Sequence, residues 1–153
     1  MSDPLYYEDL EVGGAWVSGA RTITEADVVA FAGISGDFNP LHVDAEHAAS
    51  TAFGERIAHG ALVLAVATGL RQQQGLFRGS LKAWLGMREW RFTAPVRFGD
   101  TLRVRTEVAS RRETRDPAAG LVEQAVSVRN QRDEEVAAGI FVTLMHRRAE
   151  AAA

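Results

Sequence analysis

The sequence predicts an α+β fold in which an antiparallel sheet surrounds one apolar helix. The helical patterns lie in the first half of the chain and most strand patterns in the second, which favours segregated α+β architecture over alternating βαβ units. Residues 60–73 are apolar almost all round, which is typical of a buried helix. Such a helix needs a covering layer, and one long curled sheet is the simplest way to supply it.

Three helices are predicted before residue 74. Thr24 is suited to cap the first, because its hydroxyl can accept a backbone hydrogen bond and acidic residues follow it. Asp44 is suited to cap a short second helix that runs to about Ser50, and the third is the apolar helix at 60–73. The first helix is expected to end at Gly33 or Gly36 and to bury an apolar stripe, which consists of Val28, Phe31, Ala32 and Ile34.

The second half of the chain predicts four strands. Apolar and charged residues alternate between Leu102 and Val108, which indicates a half-buried strand. The last predicted strand is apolar on both faces, so we expect it at the centre of the sheet. The four strands are predicted at residues 81–93, 102–108, 121–129 and 136–145, and a fifth, early strand is expected within residues 15–23.

The bulk composition narrows the class of protein. At 153 residues we expect a single domain over residues 1–153, with a frayed tail from about 147. A net charge of −3 gives no indication of a nucleic-acid or membrane partner. Because the sequence has no cysteine, disulfides, thiolate nucleophiles and zinc–thiolate sites are excluded. Residues 1–9 lack the features of a signal peptide, and the longest apolar run, 61–67, is too short to span a bilayer, so we expect a cytoplasmic protein.

A carboxylate and an imidazole, Asp37 and His42, stand close together on a bend. Asn39-Pro40 separates them, and because proline restricts the residue before it, both side chains should project from a fixed loop. Asn39 can hold this turn by bonding to its own backbone. Asp37 and His42 could then converge on one water molecule and move its proton. The alternative is that Asp37 only caps the turn and His42 is a surface residue, but the proline and the second polar segment at residues 58–60 favour the functional interpretation.

Gly60 begins the apolar helix, where backbone N–H groups are unpaired and the potential is positive. A substrate carbonyl docked there would be polarised as in an oxyanion hole, which is typically worth about 3 kcal/mol. The alternative is that glycine only lets the chain turn into the helix.

Two further groups of residues, one of histidines with an aspartate and one of arginines, give weaker functional signals. A metal site built from His42, Asp44, His47 and His59 is disfavoured because no two histidines have the spacing that puts both on one helix face, so we expect no metal. The arginines at 97, 103, 105, 111, 112 and 115 are expected to form a solvated face, with a phosphate site as the alternative. The sequence also has no Walker loop, GxGxxG or GxSxG motif, which disfavours nucleotide-binding and serine-hydrolase mechanisms.

Residues 31–44, with Asp37-Phe38-Asn39-Pro40-Leu41-His42 at their centre, resemble the hydratase motif of the MaoC-like dehydratases, which include the (R)-specific enoyl-CoA hydratases. The resemblance continues through Ala52-Phe53-Gly54 and Ile57-Ala58-His59-Gly60 and resumes at residues 92–102. It implies the hotdog fold, in which an antiparallel sheet wraps around a long central helix.

The same resemblance implies a hydro-lyase that reversibly adds water to a trans-2-enoyl-CoA to give an (R)-3-hydroxyacyl-CoA. Asp37 and His42 match the catalytic pair that holds the water and supplies the proton, and Gly60 matches the residue whose N–H polarises the thioester carbonyl. Thr68 falls where relatives carry a serine, and we predict substrate contacts from Asn39, His59 and Thr68. The resemblance also implies a homodimer or higher homo-oligomer and no cofactor beyond the coenzyme A of the substrate. A hotdog acyl-CoA thioesterase and a non-catalytic acyl-thioester-binding subunit remain alternatives.

Overall fold

The computed structural model describes residues 3–148. After a single 3₁₀ turn, Tyr7–Asp9, the helices are α1 (Glu25–Ser35), α2 (Pro40–Val43), α3 (Ala45–Ala49) and α4 (Gly60–Gln73). The strands are β1 (Ala15–Val17), β2 (Arg21–Thr22), β3 (Leu81–Phe92), β4 (Thr101–Glu113), β5 (Ala119–Arg129) and β6 (Glu135–His146). The predicted α+β class and the positions of the four long strands are confirmed.

All strand pairs are antiparallel, and the sheet has the order β1-β4-β5-β6-β3 with β2 also paired to β4. β6 lies between β5 and β3, so it is an interior strand, as its apolar faces predict, but β5 and not β6 is at the centre of the sheet. β4 and β5 bury alternate residues, as strands with one face on a core do. The expected early strand is instead two short strands, because regular pairing is interrupted at residues 18–20. There the Ser18 N–H donates to the Val104 carbonyl, and the Ser18 hydroxyl accepts from the Val104 N–H and donates to the Gly19 carbonyl.

Helix α4 packs its apolar side on the concave face of the sheet. Leu62, Val63, Val66 and Leu70 are buried there together with Phe141 of β6. The prediction of a helix buried all round is wrong for one side, because Ala61, Ala65 and Gly69 are exposed within the single chain. The sheet curls around part of the helix only, so those small residues face away from it.

Helix α1 begins and ends as predicted. The Thr24 side chain accepts from the N–H of Asp27, and Gly36 closes the helix with a left-handed φ of 75°. Ile34, however, is 85% exposed although it was assigned to the buried stripe. It lies two residues beyond the buried Ala32, and at 3.6 residues per turn that places it on the opposite side of the helix.

The Asn39-Pro40 bend is also more regular than expected. We predicted a loop, but Pro40 is the first residue of the one-turn helix α2, where its missing N–H costs nothing. Asn39 caps this turn, because its Oδ1 accepts from the N–H of Leu41 at 3.0 Å. His42 therefore projects from a capped helical turn.

The end of the described chain is anchored. Arg147 Nε donates to a Glu8 carboxylate oxygen at 2.9 Å, and Arg148 donates to Asp9 at 2.6 Å. Arg147 and Arg148 fall in the predicted frayed tail and bond to the N-terminal 3₁₀ turn, and the rest of that tail, 149–153, lies outside the described residues.

Asp27 should make stability depend on pH through the start of α1. The backbone N–H of Thr24, with further bonds from the Thr24 hydroxyl and Arg21, holds the pKa of the Asp27 carboxyl below its usual value. A depressed folded pKa stabilises the protein above the unfolded pKa of about 3.9, and the contribution is lost as pH falls through the folded pKa. We expect Asp27→Asn to lower the free energy of unfolding at pH 6 and the difference from wild type to shrink below about pH 4.

Urea denaturation of both proteins across this pH range measures the effect. Glu25→Gln is the control, because it removes a charge from the same helical turn, and with it the surface ion pair to Arg56, but leaves the Thr24 cap in place. A difference between Asp27→Asn and wild type that does not change with pH would contradict the assignment.

Candidate active site

The segment between α1 and α2 holds Asp37 by short-range hydrogen bonds. The Asp37 side chain is exposed. The backbone N–H of Asp37 donates to Ser35 Oγ, and its Oδ1 accepts from the N–H of Asn39 at 3.2 Å. Because Asn39 in turn caps α2, the acid and the start of the next helix are joined. The predicted fixed geometry therefore arises from turn and cap bonds within the seven residues 35–41.

His42 is oriented by a backbone carbonyl. Its Nδ1 lies 2.8 Å from the carbonyl oxygen of Ile57. Since a carbonyl oxygen can only accept, Nδ1 carries the proton in the neutral ring, and Nε2 is left with a free lone pair. His42 is thus set up to take a proton through Nε2.

His59 connects the acid segment to the start of α4. Its Nε2 lies 2.9 Å from the carbonyl oxygen of Asp37, so this nitrogen carries the ring proton. The ring is 2% exposed and stacks on His42 with centroids 3.8 Å apart. Its Nδ1 is buried and has no hydrogen-bond partner among residues 3–148. His59, for which we predicted a substrate contact, therefore holds the Asp37 backbone and backs the His42 ring.

Asp37, His42 and His59 form one cluster. One potential ligand atom from each lies within 4.8 Å of the others. A carboxylate with two imidazoles is a donor set that can hold a metal ion, although only one nitrogen of each ring is free of the bonds above. Asp44, which the sequence offered as a possible metal ligand, instead caps α3, because its Oδ1 accepts from the N–H of His47. The expectation of no metal stays a prediction.

Gly60 and His42 line the same cavity, which has a volume of about 350 Å³. Gly60 is the first residue of α4, and its N–H bonds to no acceptor within residues 3–148. A Cβ at this position would lie 2.6 Å from the ring of Phe92, so the glycine is required for the ring to pack on the backbone. The remaining wall residues are mostly apolar: Phe53, Ile57, Ala58, Val63, Thr93, Ala94, Pro95, Val96 and Val136.

Thr68 lies elsewhere on the same helix. Its Oγ1 donates to the carbonyl of Ala65 at 2.7 Å, and it lines a second cavity together with Arg71. Eight residues separate it from Gly60, or about 12 Å along the axis of α4. The structure therefore brings together Asp37, His42, His59 and Gly60 but separates Thr68 from them.

Sequence reasoning missed Arg71, which is buried near the end of α4. The available signal was a single arginine following an apolar helical run. The arginines that we did single out are largely exposed, and two make surface ion pairs, Arg97 with Glu55 and Arg105 with Glu107. The expected solvated face is therefore confirmed for these two, and the phosphate-site alternative stays untested.

Comparison with solved structures identifies the class of fold. The chain superimposes on a Mycobacterium tuberculosis protein described as having a double hotdog fold, with a TM-score of 0.84 and 26% identity over 98% of this chain and 46% of that one. It also matches the unliganded R-hydratase PhaJ1 of Pseudomonas aeruginosa, with a TM-score of 0.78 and 35% identity over 98% of this chain and 93% of that one. The predicted hotdog fold is confirmed.

The family follows from the sequence. Residues 15–130 match the MaoC like domain, and the chain belongs to that family. It is 42% identical over 108 residues to the 3-hydroxybutyryl-CoA dehydratase of Methylorubrum extorquens, a match that covers 69% of this chain and 64% of that protein. The chain also spans less than two thirds of the length of the (R)-specific enoyl-CoA hydratases that it resembles. Across residues 3–148, none of the helices has the length and apolar character needed to cross a membrane.

Proposed function

We propose that this protein is a hydro-lyase that reversibly adds water to a trans-2-enoyl-CoA and yields an (R)-3-hydroxyacyl-CoA. One observation carries the proposal: a carboxylate and an imidazole with a free lone pair lie within 4.8 Å of each other, and the imidazole shares a cavity with an unpaired helix N-terminal N–H. The names of similar proteins, a 3-hydroxybutyryl-CoA dehydratase and (R)-specific enoyl-CoA hydratases, support the same reaction.

In the hydration direction, Asp37 and His42 hold one water molecule between them. As the water oxygen bonds to the β-carbon of the enoyl group, the pair takes a proton from the water, and the carbon–carbon double bond opens toward the thioester carbonyl. The same pair then delivers a proton to the α-carbon, so no proton is gained or lost overall. Positioned proton transfer of this kind contributes typically 10²- to 10⁴-fold to a rate.

The thioester oxygen becomes negative during this step, and the Gly60 N–H supports it. The donor lies at the positive end of α4, in a cavity with mostly apolar walls, where electrostatic stabilisation is stronger than in water. His59, just before α4, bonds to the Asp37 backbone, which keeps the distance between the Asp37 carboxylate and the Gly60 N–H fixed. The role of Asn39 is then to cap α2, and a direct substrate contact from its amide group is a further prediction.

A direct assay with crotonyl-CoA tests the proposal. Loss of the enoyl-thioester absorbance without release of free thiol is the expected result for a hydratase. Thiol release would identify a thioesterase, and neither signal with enoyl-CoAs of several chain lengths would leave a non-catalytic binding subunit as the better account.

We further propose that two copies of the chain pair through β3. This strand is at one end of the sheet order, so one side of its backbone is available to another strand. It carries exposed large apolar side chains: Trp84 at 41%, Leu85 at 56%, Met87 at 42% and Phe92 at 54% exposure. Exposed apolar side chains along an unpaired sheet edge are typical of an interface.

Light scattering coupled to size-exclusion chromatography checks the pairing. We expect the mass of a dimer for wild type and a shift toward monomer for Leu85→Lys, because a charge would be buried at the contact. Val12→Lys changes an equally exposed apolar residue away from β3 and should stay dimeric. A monomeric wild type, or a dimer indifferent to Leu85→Lys, would contradict the proposed edge.

A further inference from the structure

Arg71, near the end of α4, is a buried cation that the proposed reaction does not use. Arg71 is only 7% exposed, and no carboxylate among residues 3–148 forms an ion pair with it. Burial lowers its pKa to about 10, so it is still charged at neutral pH. Buried charges in proteins are ordinarily paired, so the missing counter-charge calls for an explanation.

The neighbours of Arg71 satisfy only part of its guanidinium. Nε donates to Thr106 Oγ1 at 3.1 Å, and Nη2 donates to Gln124 Oε1. The guanidinium carbon also lies 4.9 Å from the ring centre of Phe141 and 5.6 Å from that of Phe77. Aromatic faces stabilise a cation without neutralising it. A guanidinium has five N–H donors, so several remain for a ligand.

Gln124 supplies a second unpaired donor beside it. The residue is 1% exposed, and its amide nitrogen has no hydrogen-bond partner among the described residues. The amide cannot be flipped to remove this donor, because its oxygen must face the guanidinium. Burying an unpaired polar group is costly, so this nitrogen also indicates an acceptor that occupies the site.

Arg71 and Gln124 line a common cavity of about 80 Å³. The two hydroxyls in its wall are already donors to backbone carbonyls, Thr68 to Ala65 and Thr143 to Val122. Arg71 and Gln124 give the cavity a positive charge and N–H groups without partners among residues 3–148, and the Gln72 amide also lines it. Its size suits a carboxylate, since a water molecule takes about 30 Å³ in the liquid, and arginine prefers this partner.

The second cavity is built on the same elements as the candidate active site. Helix α4 and strands β3 and β6 each contribute residues to both cavities: Gly60 and Arg71 on α4, Phe92 and Trp84 on β3, Val136 and Thr143 on β6. Gly60 and Arg71 are about 16 Å apart along the helix axis, and helix side chains lean toward the N-terminus, which brings the guanidinium closer. Packed aromatic rings lie between the two places, in the order Phe92, Trp90, Phe141 and Trp84. The first pair meets edge to face and the other two pairs are tilted.

We infer that this second cavity binds a carboxylate at the far end of the acyl group, so that thioesters of dicarboxylic acids are preferred substrates. The inference rests on the proposed function, because it places the thioester carbonyl at Gly60 and the acyl chain along the aromatic rings. Arg71 and Gln124 are then the residues that set specificity.

Two thioesters of equal length test the inference: trans-2-hexenoyl-CoA and the CoA thioester of trans-2-hexenedioic acid, which adds a terminal carboxylate. We expect wild type to prefer the second in kcat/KM by roughly tenfold or more, as for a hydrogen-bonded charged group. Gln124→Glu puts a carboxylate of the same shape beside Arg71 and should abolish the preference. Arg78→Gln, which removes an exposed arginine nearby in sequence, should keep it.

Each outcome decides between the claims. If wild type hydrates both thioesters equally, the carboxylate site is wrong and the hydratase function stands. If it hydrates neither, the hydratase function fails, and nitrogen-15 NMR of the Arg71 Nε–H with added free glutarate tests whether the cavity binds an anion. A change in this chemical shift that occurs in wild type but not in Gln124→Glu supports the anion site, and an unchanged shift in wild type overturns it. A glutarate shift combined with equal thioester rates assigns the anion to a free carboxylate and contradicts the substrate claim.

Discussion

Asp37→Asn and His42→Ala are expected to lower the hydration rate of crotonyl-CoA by about 10²-fold or more while the protein stays folded. Asn in place of Asp37 can still accept the N–H of Asn39, so the turn is retained, but the group can no longer carry the proton. Ala in place of His42 removes an imidazole that lines the cavity and whose Nε2 has a free lone pair. Steady-state rates of both variants measure the effect.

The chain offers matched controls for both changes. Asp44→Asn alters another carboxylate that caps a short helix, and His47→Ala removes an exposed imidazole in that helix. Both control proteins should hydrate crotonyl-CoA at nearly the wild-type rate. Near-normal turnover by both Asp37→Asn and His42→Ala, with circular dichroism unchanged, would remove these residues from the mechanism.

Gly60→Ala should reduce the rate by roughly 10²-fold, because misplacing a reacting group by about 1 Å can cost that much. The new Cβ would lie 2.6 Å from the Phe92 ring, so either the ring or the start of α4 must move. Both movements disturb the place where the thioester carbonyl is expected to meet the Gly60 N–H. The loss should appear in kcat, because the carbonyl interaction strengthens in the transition state.

Gly69→Ala is the control on the same helix. A Cβ at Gly69 has no atom within 4 Å, and replacing glycine inside a helix typically stabilises by about 1 kcal/mol. We therefore expect Gly69→Ala to raise the free energy of unfolding and to retain activity. A Gly60→Ala protein with wild-type kcat would mean that the start of α4 does not take part in the reaction.

The features that sequence predicted well are those set by neighbouring residues. The limits of α4 follow from its apolar run and from Gly60, and the Asp37 turn follows from Asn39 and Pro40. For the same reason the acid, the imidazole and the helix start can be proposed together from the sequence alone.

The features that sequence did not predict depend on distant contacts. Arg71 takes its environment from Thr106 and Gln124, which are 35 and 53 residues away along the chain. His59 was predicted to touch substrate, but its ring bonds to the carbonyl of Asp37, 22 residues earlier, and stacks on His42. No local pattern encodes these partners, because strand pairing and the docking of α4 determine them.

In the proposed reaction, Asp37 and His42 add the hydroxyl group of one water molecule to the β-carbon of the enoyl group and return a proton to its α-carbon. NMR analysis of the product formed from crotonyl-CoA in D₂O measures both additions at once. We expect intact 3-hydroxybutyryl-CoA with the R configuration at C3 and one deuterium at C2 in a single orientation. Free CoA with crotonate, or a mixture of orientations at C2, would overturn this mechanism.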